Sequence, residues 1–339
     1  MKKLTTSDEI NMLLHAPAAS AALGAAITTG LLWMLAERPM TGEEVVQALN
    51  IPGKRGHYWL QYLQSFGILE TVQQGYITSS LVQTAILDTY SRENWQHLVI
   101  DEQEKDACVH GLPQLIGAPG SLWSIQGFDE PKNYVDRMRA SPERAREFTR
   151  MLFEVHQNLA NKVAEVLDLT GAEHMMDLGG NSGVISMALL RKYPALKSTI
   201  VDIENVCEAG REIVAEQGFS DRITYYPAEF ADDEFPSGFD LVIQCDVAVY
   251  NIELLRKLFK SLIPGGRLIF VDHFSPAENL APPTRVEWTF LDSLHDPDFG
   301  FPTLKEFKSL LDQAGFDVPE KHQTLGKGMV VLQAWKRDV

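Results

Sequence analysis

A short apolar stretch, Met175-Met176-Asp177-Leu178, runs straight into Gly179-Gly180-Asn181-Ser182-Gly183, and Val184 to Lys192 follows at once with helical spacing. A strand that passes through glycines directly into a helix leaves few folds open. Glycine turns the backbone sharply and lets a ligand approach it closely. The alternation then continues. Lys197 to Asp202 reads as a second strand, Val206 to Gln217 as a helix, and Ile223 to Tyr226 as a third strand. Phe239 to Gln244 is a fourth strand with a helix through Lys260, and Pro264-Gly265-Gly266 is a turn before a fifth strand, Arg267 to Asp272. Thr303 to Ala314 reads as a helix and Gly328 to Trp335 as a last strand pair or edge. Strands and helices alternating at these lengths predict an α/β domain, a Rossmann-like doubly wound and mostly parallel sheet, over residues 171–339.

The chain before it reads differently. Ala18 to Glu37 is an alanine-rich apolar helix, and Thr41 caps Gly42 to Leu49 with Glu44 as its capping-box partner. A third helix spans about His57 to Phe66. Gly67 to Val72 and Tyr76 to Thr78 then flank Gln73-Gln74-Gly75 as a hairpin. Helices followed by a hairpin predict an N-terminal, mainly helical winged-helix domain over 1–105. Met138, Phe148, Leu152, Val155, Leu159, Val163 and Val166 form an apolar stripe over Asn133–Leu169. The stripe predicts one long linker helix within a helical linker and pocket segment, 106–170.

Composition narrows the partners. With 46 acidic against 30 basic residues, net −16, the chain lacks the excess of cations that displaces counterions from nucleic acid. No apolar run is read as reaching the roughly 18 residues of a membrane span. Cys108, Cys207 and Cys245 are odd in number and hold no CxxC pair, which points to a reducing, cytoplasmic setting. The expectation is therefore a small-molecule partner, with neither nucleic acid nor membrane.

In a doubly wound sheet, ligands sit at the carboxyl ends of the strands. The glycine loop here begins with an acid, Asp177, and lacks the GxGxxG spacing of a pyrophosphate site. A carboxylate suits a cationic sulfonium and an amino group better than a phosphate. Asp202 ends the second strand 25 residues on, placed to accept ribose hydroxyls. Glu229 and Phe230 follow the third strand, as a hydrogen-bond acceptor and a stacking face for adenine. The expected cofactor is S-adenosyl-L-methionine, held by Asp177, Gly179, Gly180, Asn181, Gly183, Asp202, Ile203, Glu229, Phe230, Gln244 and Cys245.

These motifs resemble the small-molecule methyltransferases of the caffeate O-methyltransferase type and their bacterial relatives. The resemblance rests on Ala25 to Leu32, Thr41 to Leu49, Leu60 to Leu69, Met176 to Gly183, Val201 to Val206, Ile263 to Arg267 and Gly315-Phe316. It implies methyl transfer, and an intertwined homodimer in which the winged-helix domain dimerises and closes the partner's pocket. The chain departs from that family after the fourth strand. Where His-Asp-Trp is usual, it reads Gln244-Cys245-Asp246-Val247-Ala248-Val249-Tyr250-Asn251, without the histidine base. In this it is similar to the bacteriochlorophyllide C-20 methyltransferases.

Methyl transfer to oxygen or carbon needs positioning and a proton acceptor. His295 is the favoured base or substrate orienter, with Tyr250 as its hydrogen-bonding partner. Asp246, which four-residue spacing would put on one helical face with Tyr250, and His273 are the other catalytic candidates. Phe153, His156, Trp288 and Asp292 are candidate substrate contacts. Cys245, Asp246, His273 and His295 include metal-ligand types, but no close-spaced motif supports a metal, and none is expected. O-, C- and N-methylation all stay open. Two other readings compete: a non-methylating reaction in the same fold, and a metabolite-sensing winged-helix regulator, for which Lys54-Arg55 is a thin basic face.

Overall fold

The computed structural model describes residues 3–127 and 134–337. The chain divides into two compact units, Met1–Ala107 and Cys108–Val339.

In the first unit α1 (Ser7–Thr29) opens on a capping box between Thr6 and Glu9 and stops at Gly30, φ 78. That left-handed conformation favours glycine over a residue with a Cβ. The chain resumes as α2 (Leu31–Glu37). The single helix expected over Ala18–Glu37 is thus two helices, divided at a left-handed residue. α3 (Gly42–Leu49) has the expected Thr41–Glu44 box, and α4 (Gly53–Ser65) begins earlier than its apolar spacing indicated. β1 (Leu69–Val72) and β2 (Gly75–Thr78) pair as the expected antiparallel hairpin. α5 (Ser80–Val82) and a π-turn at Gln83–Leu87 follow. Leu31, Leu32, Leu35, Val45, Leu60, Leu63 and Leu69 form this unit's core.

One expectation fails here. Among the described residues one helix, α1, is long and apolar enough by length and composition to cross a membrane, and most of it is not buried. Asn11, His15, Pro17 and Ser20 interrupt its apolar residues, so no unbroken run marks it in the sequence. Ile10, Met12, Leu13 and Leu14 are exposed on it.

α6 (Arg92–Leu115) carries the chain across the division at Ala107, and α7 (Leu122–Ile125) follows. The expected long helix over Asn133–Leu169 is three: α8 (Tyr134–Ala140), α9 (Pro142–Val155) and α10 (Gln157–Val166). Ser141 is extended because Pro142 follows it, and it caps α9 by accepting from the Arg144 N–H. The second break falls at His156, φ −90 and ψ 1.

The sheet is mostly parallel. Its strands are β3 (His174–Leu178), β4 (Lys197–Asp202), β5 (Ile223–Pro227), β6 (Phe239–Cys245), β7 (Leu262–Asp272), β8 (Phe316–Asp317), β9 (Gln323–Thr324) and β10 (Val330–Lys336). The order is β5-β4-β3-β6-β7-β10-β8, parallel from β5 through β7, with β10 antiparallel to β7. Pro264-Gly265-Gly266, expected as a turn, lies within the span of β7, where Gly265 takes φ 71 and the pairing with β6 shifts register. Helices α11 (Val184–Lys192), α12 (Glu204–Glu216), α13 (Ile252–Ser261), α14 (Val286–His295) and α15 (Leu304–Gln313) complete the unit.

Strand residues alternate between two cores, as a sheet covered on both faces requires. Met175, Ile200, Ile243 and Ile269 enter one core with α10 and α11, while Met176, Val201, Val242 and Leu268 enter the other with α13 and α15. The fold is the α/β class expected from the sequence. The strand order reverses at β3 and β6, so a crevice forms at the carboxyl ends of these two strands.

Candidate active site

The glycine loop joins β3 to α11. Gly179 takes φ 66, and a Cβ there would meet Val247 Cγ2 at 2.9 Å and Phe230 Cζ at 3.5 Å. Gly183 takes φ 75 as the N-cap of α11. Asn181 is left-handed at φ 46, and its carbonyl accepts from the Tyr225 hydroxyl at 3.0 Å. Asp177 is buried under the loop, where Oδ2 accepts from Ser186 Oγ at 2.5 Å. A Cβ on Gly180 would lie 2.6 Å from its carboxyl carbon, so Asp177 supports the loop from below. Burial pushes this carboxyl up to about 7, against the Ser186 hydrogen bond.

Asp202 ends β4 beside this loop. Its Oδ2 accepts from the Asn181 N–H at 3.1 Å and its Oδ1 from the Ile203 N–H at 2.9 Å. Burial raises it to about 6. Each oxygen accepts one backbone hydrogen, which leaves lone-pair capacity for a hydroxyl. A close-approach glycine, an adjacent aromatic edge at Phe230 and an under-committed carboxylate at Asp202 fit an adenosyl ligand. Glu229, expected to accept from the adenine amino group, also pairs its carboxylate with Arg139 of α8. Gln244 is buried and donates to the Val249 carbonyl at 3.0 Å, while burial holds the neighbouring Cys245 thiol well above its usual range.

Beyond β6 the chain is irregular. Asp246 and Ala248 are both left-handed at φ 55, a conformation uncommon for residues other than glycine. Asp272, at the end of β7, holds this loop: Oδ2 accepts from the Ala248 N–H at 3.0 Å and Oδ1 from the His273 N–H at 2.8 Å. Burial raises Asp272 to about 6. Asp246 faces Arg285, whose Nη2 reaches both carboxylate oxygens at 2.8 and 3.0 Å, and His156 Nε2 lies 3.6 Å from Oδ2. Burial works to raise the Asp246 carboxyl, but His156 and Arg285 outweigh it and hold it below its ordinary value. Arg285 also lies over the Trp288 ring at 5.6 Å, and Trp288 packs edge-on to Phe299.

The structure therefore brings together His156, Asp246, His273 and Trp288 of the expected residues, and it separates others. Asp246 and Tyr250 share no helix, because α13 begins only at Ile252 behind the Asn251 cap. Tyr250 does not partner His295. Its hydroxyl donates to the His273 carbonyl at 3.1 Å, and its ring is packed among Phe270, Phe274, Phe301 and Phe307. Burial holds that hydroxyl far above its usual range, and the half-buried ring packs against the sheet's second core. His295 ends α14 with its ring edge-on to Trp123, and its buried Nδ1 has no hydrogen-bond partner among the described residues. His273 is buried and its basicity is lowered, first by burial and then by Arg285. Phe153 packs against the core on the α10 side, and Asp292 lies on α14. Among the described residues no three of His, Cys, Asp and Glu are grouped to hold a metal ion.

Arg285 and Arg139 were missed from the sequence. Arg285 lies 39 positions from Asp246 in sequence, and the one local signal was a cation directly ahead of an aromatic helical turn, Pro282-Pro283-Thr284-Arg285 before Trp288.

A glycine-rich first loop, an acid at the end of the adjacent strand and an antiparallel strand β10 beside β7 define a methyltransferase that uses S-adenosylmethionine. Residues 127–317, more than half of the chain, match the model of the O-methyltransferase domain family, and the chain belongs to that family. It is 27% identical over 271 residues to the L-tyrosine C(3)-methyltransferase of Streptomyces lavendulae, covering 77% of this chain and 73% of that protein. It is 30% identical over 268 residues to the 3-hydroxy-5-methyl-1-naphthoate 3-O-methyltransferase of Streptomyces sahachiroi, covering 73% and 71%. The human N-acetylserotonin methyltransferase in complex with SAM superposes with a TM-score of 0.77 at 20% identity, over the full length of both chains. These relatives give no support to the non-methylating or regulatory alternatives.

Proposed function

We propose that this enzyme methylates a small aromatic or polyketide-like metabolite in the crevice between the glycine loop and the Asp246–Arg285 pair, and that it works as a homodimer. The observation that carries the reading is convergence. Gly179, Asp202, Asp246 and His273 all follow or end the carboxyl termini of four neighbouring strands, β3, β4, β6 and β7. The two relatives bear names with aromatic acceptors, L-tyrosine and a hydroxynaphthoate. Trp288, Phe299 and Phe301 offer an aromatic wall beside Arg285.

S-adenosylmethionine supplies an electrophilic methyl group. The chain's own contribution is to hold and orient. Asp202 and Ile203 would hold the ribose, Gly179 and Gly180 would allow the cofactor's close approach, and Phe230 would border the adenine. Positioning of this kind can account for several kcal/mol of barrier, about 7–11 in favourable cases. The exposed apolar residues of α1, Ile10, Met12, Leu13 and Leu14, offer a surface that a second copy could cover. A cytoplasmic enzyme without nucleic acid as partner completes the reading.

Calorimetric titration with S-adenosylmethionine tests the cofactor side. Micromolar binding by wild type that Asp202→Ala loses supports the reading, and no binding by folded wild type removes it. Release of S-adenosylhomocysteine, followed by mass spectrometry across hydroxylated aromatics, tests the transfer. Sedimentation in buffer and with anionic vesicles distinguishes a dimer from a membrane-bound form.

A further inference from the structure

With the usual histidine missing after β6, the proton acceptor must come from elsewhere in the fold. We propose that His156 is the acceptor for a hydroxyl nucleophile, that Asp246 orients it, and that Arg285 positions Asp246. The inference rests on the methyl-transfer reading above and names the nucleophile class for that site.

His156 occupies the break between α9 and α10. Its N–H still donates to the Leu152 carbonyl at 3.0 Å and its carbonyl accepts from the Ala160 N–H at 2.8 Å, so the residue is held firmly on both sides. Its side chain is 27% exposed, against 18% for Asp246, so the imidazole is the more accessible member of the pair. Nε2 faces Asp246 Oδ2 at 3.6 Å. A carboxylate on that side favours the proton on Nε2 and leaves Nδ1 bare to accept another.

The surroundings of the other candidates suit the role less well. His273 is buried at the end of β7, with Nδ1 3.5 Å from Thr284 Oγ1 and Arg285 close by, an environment that opposes a positive ring. The Tyr250 hydroxyl is spent on the His273 carbonyl. The His295 ring lies against Trp123. The charged groups facing His156 are Asp246 directly and Arg285 behind it. Asp246 stays ionised there and offsets the charge that His156 gains.

Asp246 itself is held by tertiary structure. Its N–H donates to the Val271 carbonyl at 2.8 Å, its backbone is left-handed, and Arg285 Nη2 contacts both carboxylate oxygens. The step balances within these groups. The hydroxyl proton passes to His156 Nδ1, and the oxygen lone pair forms the bond to the methyl carbon. The carbon–sulfur bond of the sulfonium breaks with its electron pair going to sulfur. The products are a methyl ether, S-adenosylhomocysteine and a proton that leaves the imidazolium to water.

Nitrogen-15 NMR of the histidine rings in the whole protein at pH 8 tests this without cofactor or substrate, so its failure is distinct from failure of the calorimetric test. The His156 signals are assigned by their loss in His156→Gln. The expected result is an Nε2–H tautomer in wild type. In Asp246→Asn and Asp246→Ala the tautomer ratio should shift toward Nδ1–H by about tenfold, with circular dichroism unchanged. An Nδ1–H tautomer in wild type, or the same ratio in wild type and in a folded Asp246 variant, overturns the proposal.

Discussion

Arg285 sets one guanidinium nitrogen, Nη2, against both carboxylate oxygens of Asp246, at 2.8 and 3.0 Å. The pair ties the approach to α14 to a loop that follows β6, and it does so where that loop is left-handed at two residues. Both side chains are partly buried, at 30% and 18% exposure, so water screens the contact incompletely. Replacing Arg285 with Met keeps the apolar stem and removes the charge. That should cost about 1–3 kcal/mol, less than a deeply buried pair. Thermal unfolding checks the cost, and a Tm equal to that of wild type would show that the pair contributes nothing.

His156→Gln bears on catalysis. General-base contributions are typically 10²–10⁴-fold. On any hydroxylated aromatic that the enzyme methylates, kcat should fall at least about 100-fold. The affinity for S-adenosylmethionine should stay as in wild type, because His156 faces Asp246 rather than the glycine loop. Steady-state kinetics beside calorimetry would separate these effects, and a kcat within threefold of wild type would discard the assignment.

Asp202 makes the cofactor affinity depend on pH. Burial raises this carboxyl to about 6, so it is ionised above that value and neutral below it. A neutral carboxyl loses acceptor capacity toward ribose hydroxyls. Affinity measured by calorimetry should fall between pH 7 and pH 5, by up to about tenfold at the lower end. A flat profile would place the ribose elsewhere.

Asp177 affects stability through the same physics. Burial raises its folded-state value to about 7, from an ordinary 3.8. For a carboxyl raised on folding, the stabilising contribution is fully present below the unfolded value and is lost as pH rises through the folded one. Wild type should therefore lose stability between about pH 4 and pH 7 on account of this group. Asp177→Asn, which can still accept from Ser186, should melt a few degrees above wild type at pH 8, about 3 °C or more, with the gap closing toward pH 5. A gap that widens on acidification would contradict the sign.

Gly179→Ala tests the loop without altering any charge. Its φ of 66 is unfavourable for a residue with a Cβ, and the added atom would meet Val247 at 2.9 Å. A loss of about 1–2 kcal/mol in stability should accompany weaker cofactor binding. Wild-type affinity in this variant would mean that the loop is a turn and nothing more.

How much of this was legible beforehand follows from the range of the interactions. The strand that runs into glycines, the alternation of strands and helices, the Thr41–Glu44 cap and the acid ending β4 are written in near neighbours, and they suffice for the fold class and the cofactor. Helix breaks were less legible. A lone glycine at 30 and a histidine at 156 interrupt patterns whose apolar spacing continues across them, so periodicity alone joined the pieces. The reacting end was legible only in part: Asp246, His273 and His156 stood out singly, but their grouping around Arg285 did not. Tyr250 resembles a catalytic hydroxyl in sequence, yet the loop after β6 packs its ring against Phe270 and Phe307. Arg285, Asp246 and His156 come from three distant segments, and they meet because a left-handed loop after β6 turns one carboxylate toward the other two. Local propensity and patterning act over a few residues, so the sequence by itself determined the sheet and the cofactor. The assembly of the acid, base and cation depended on strand register and on a loop conformation that neighbours do not encode, and only the tertiary structure decided it.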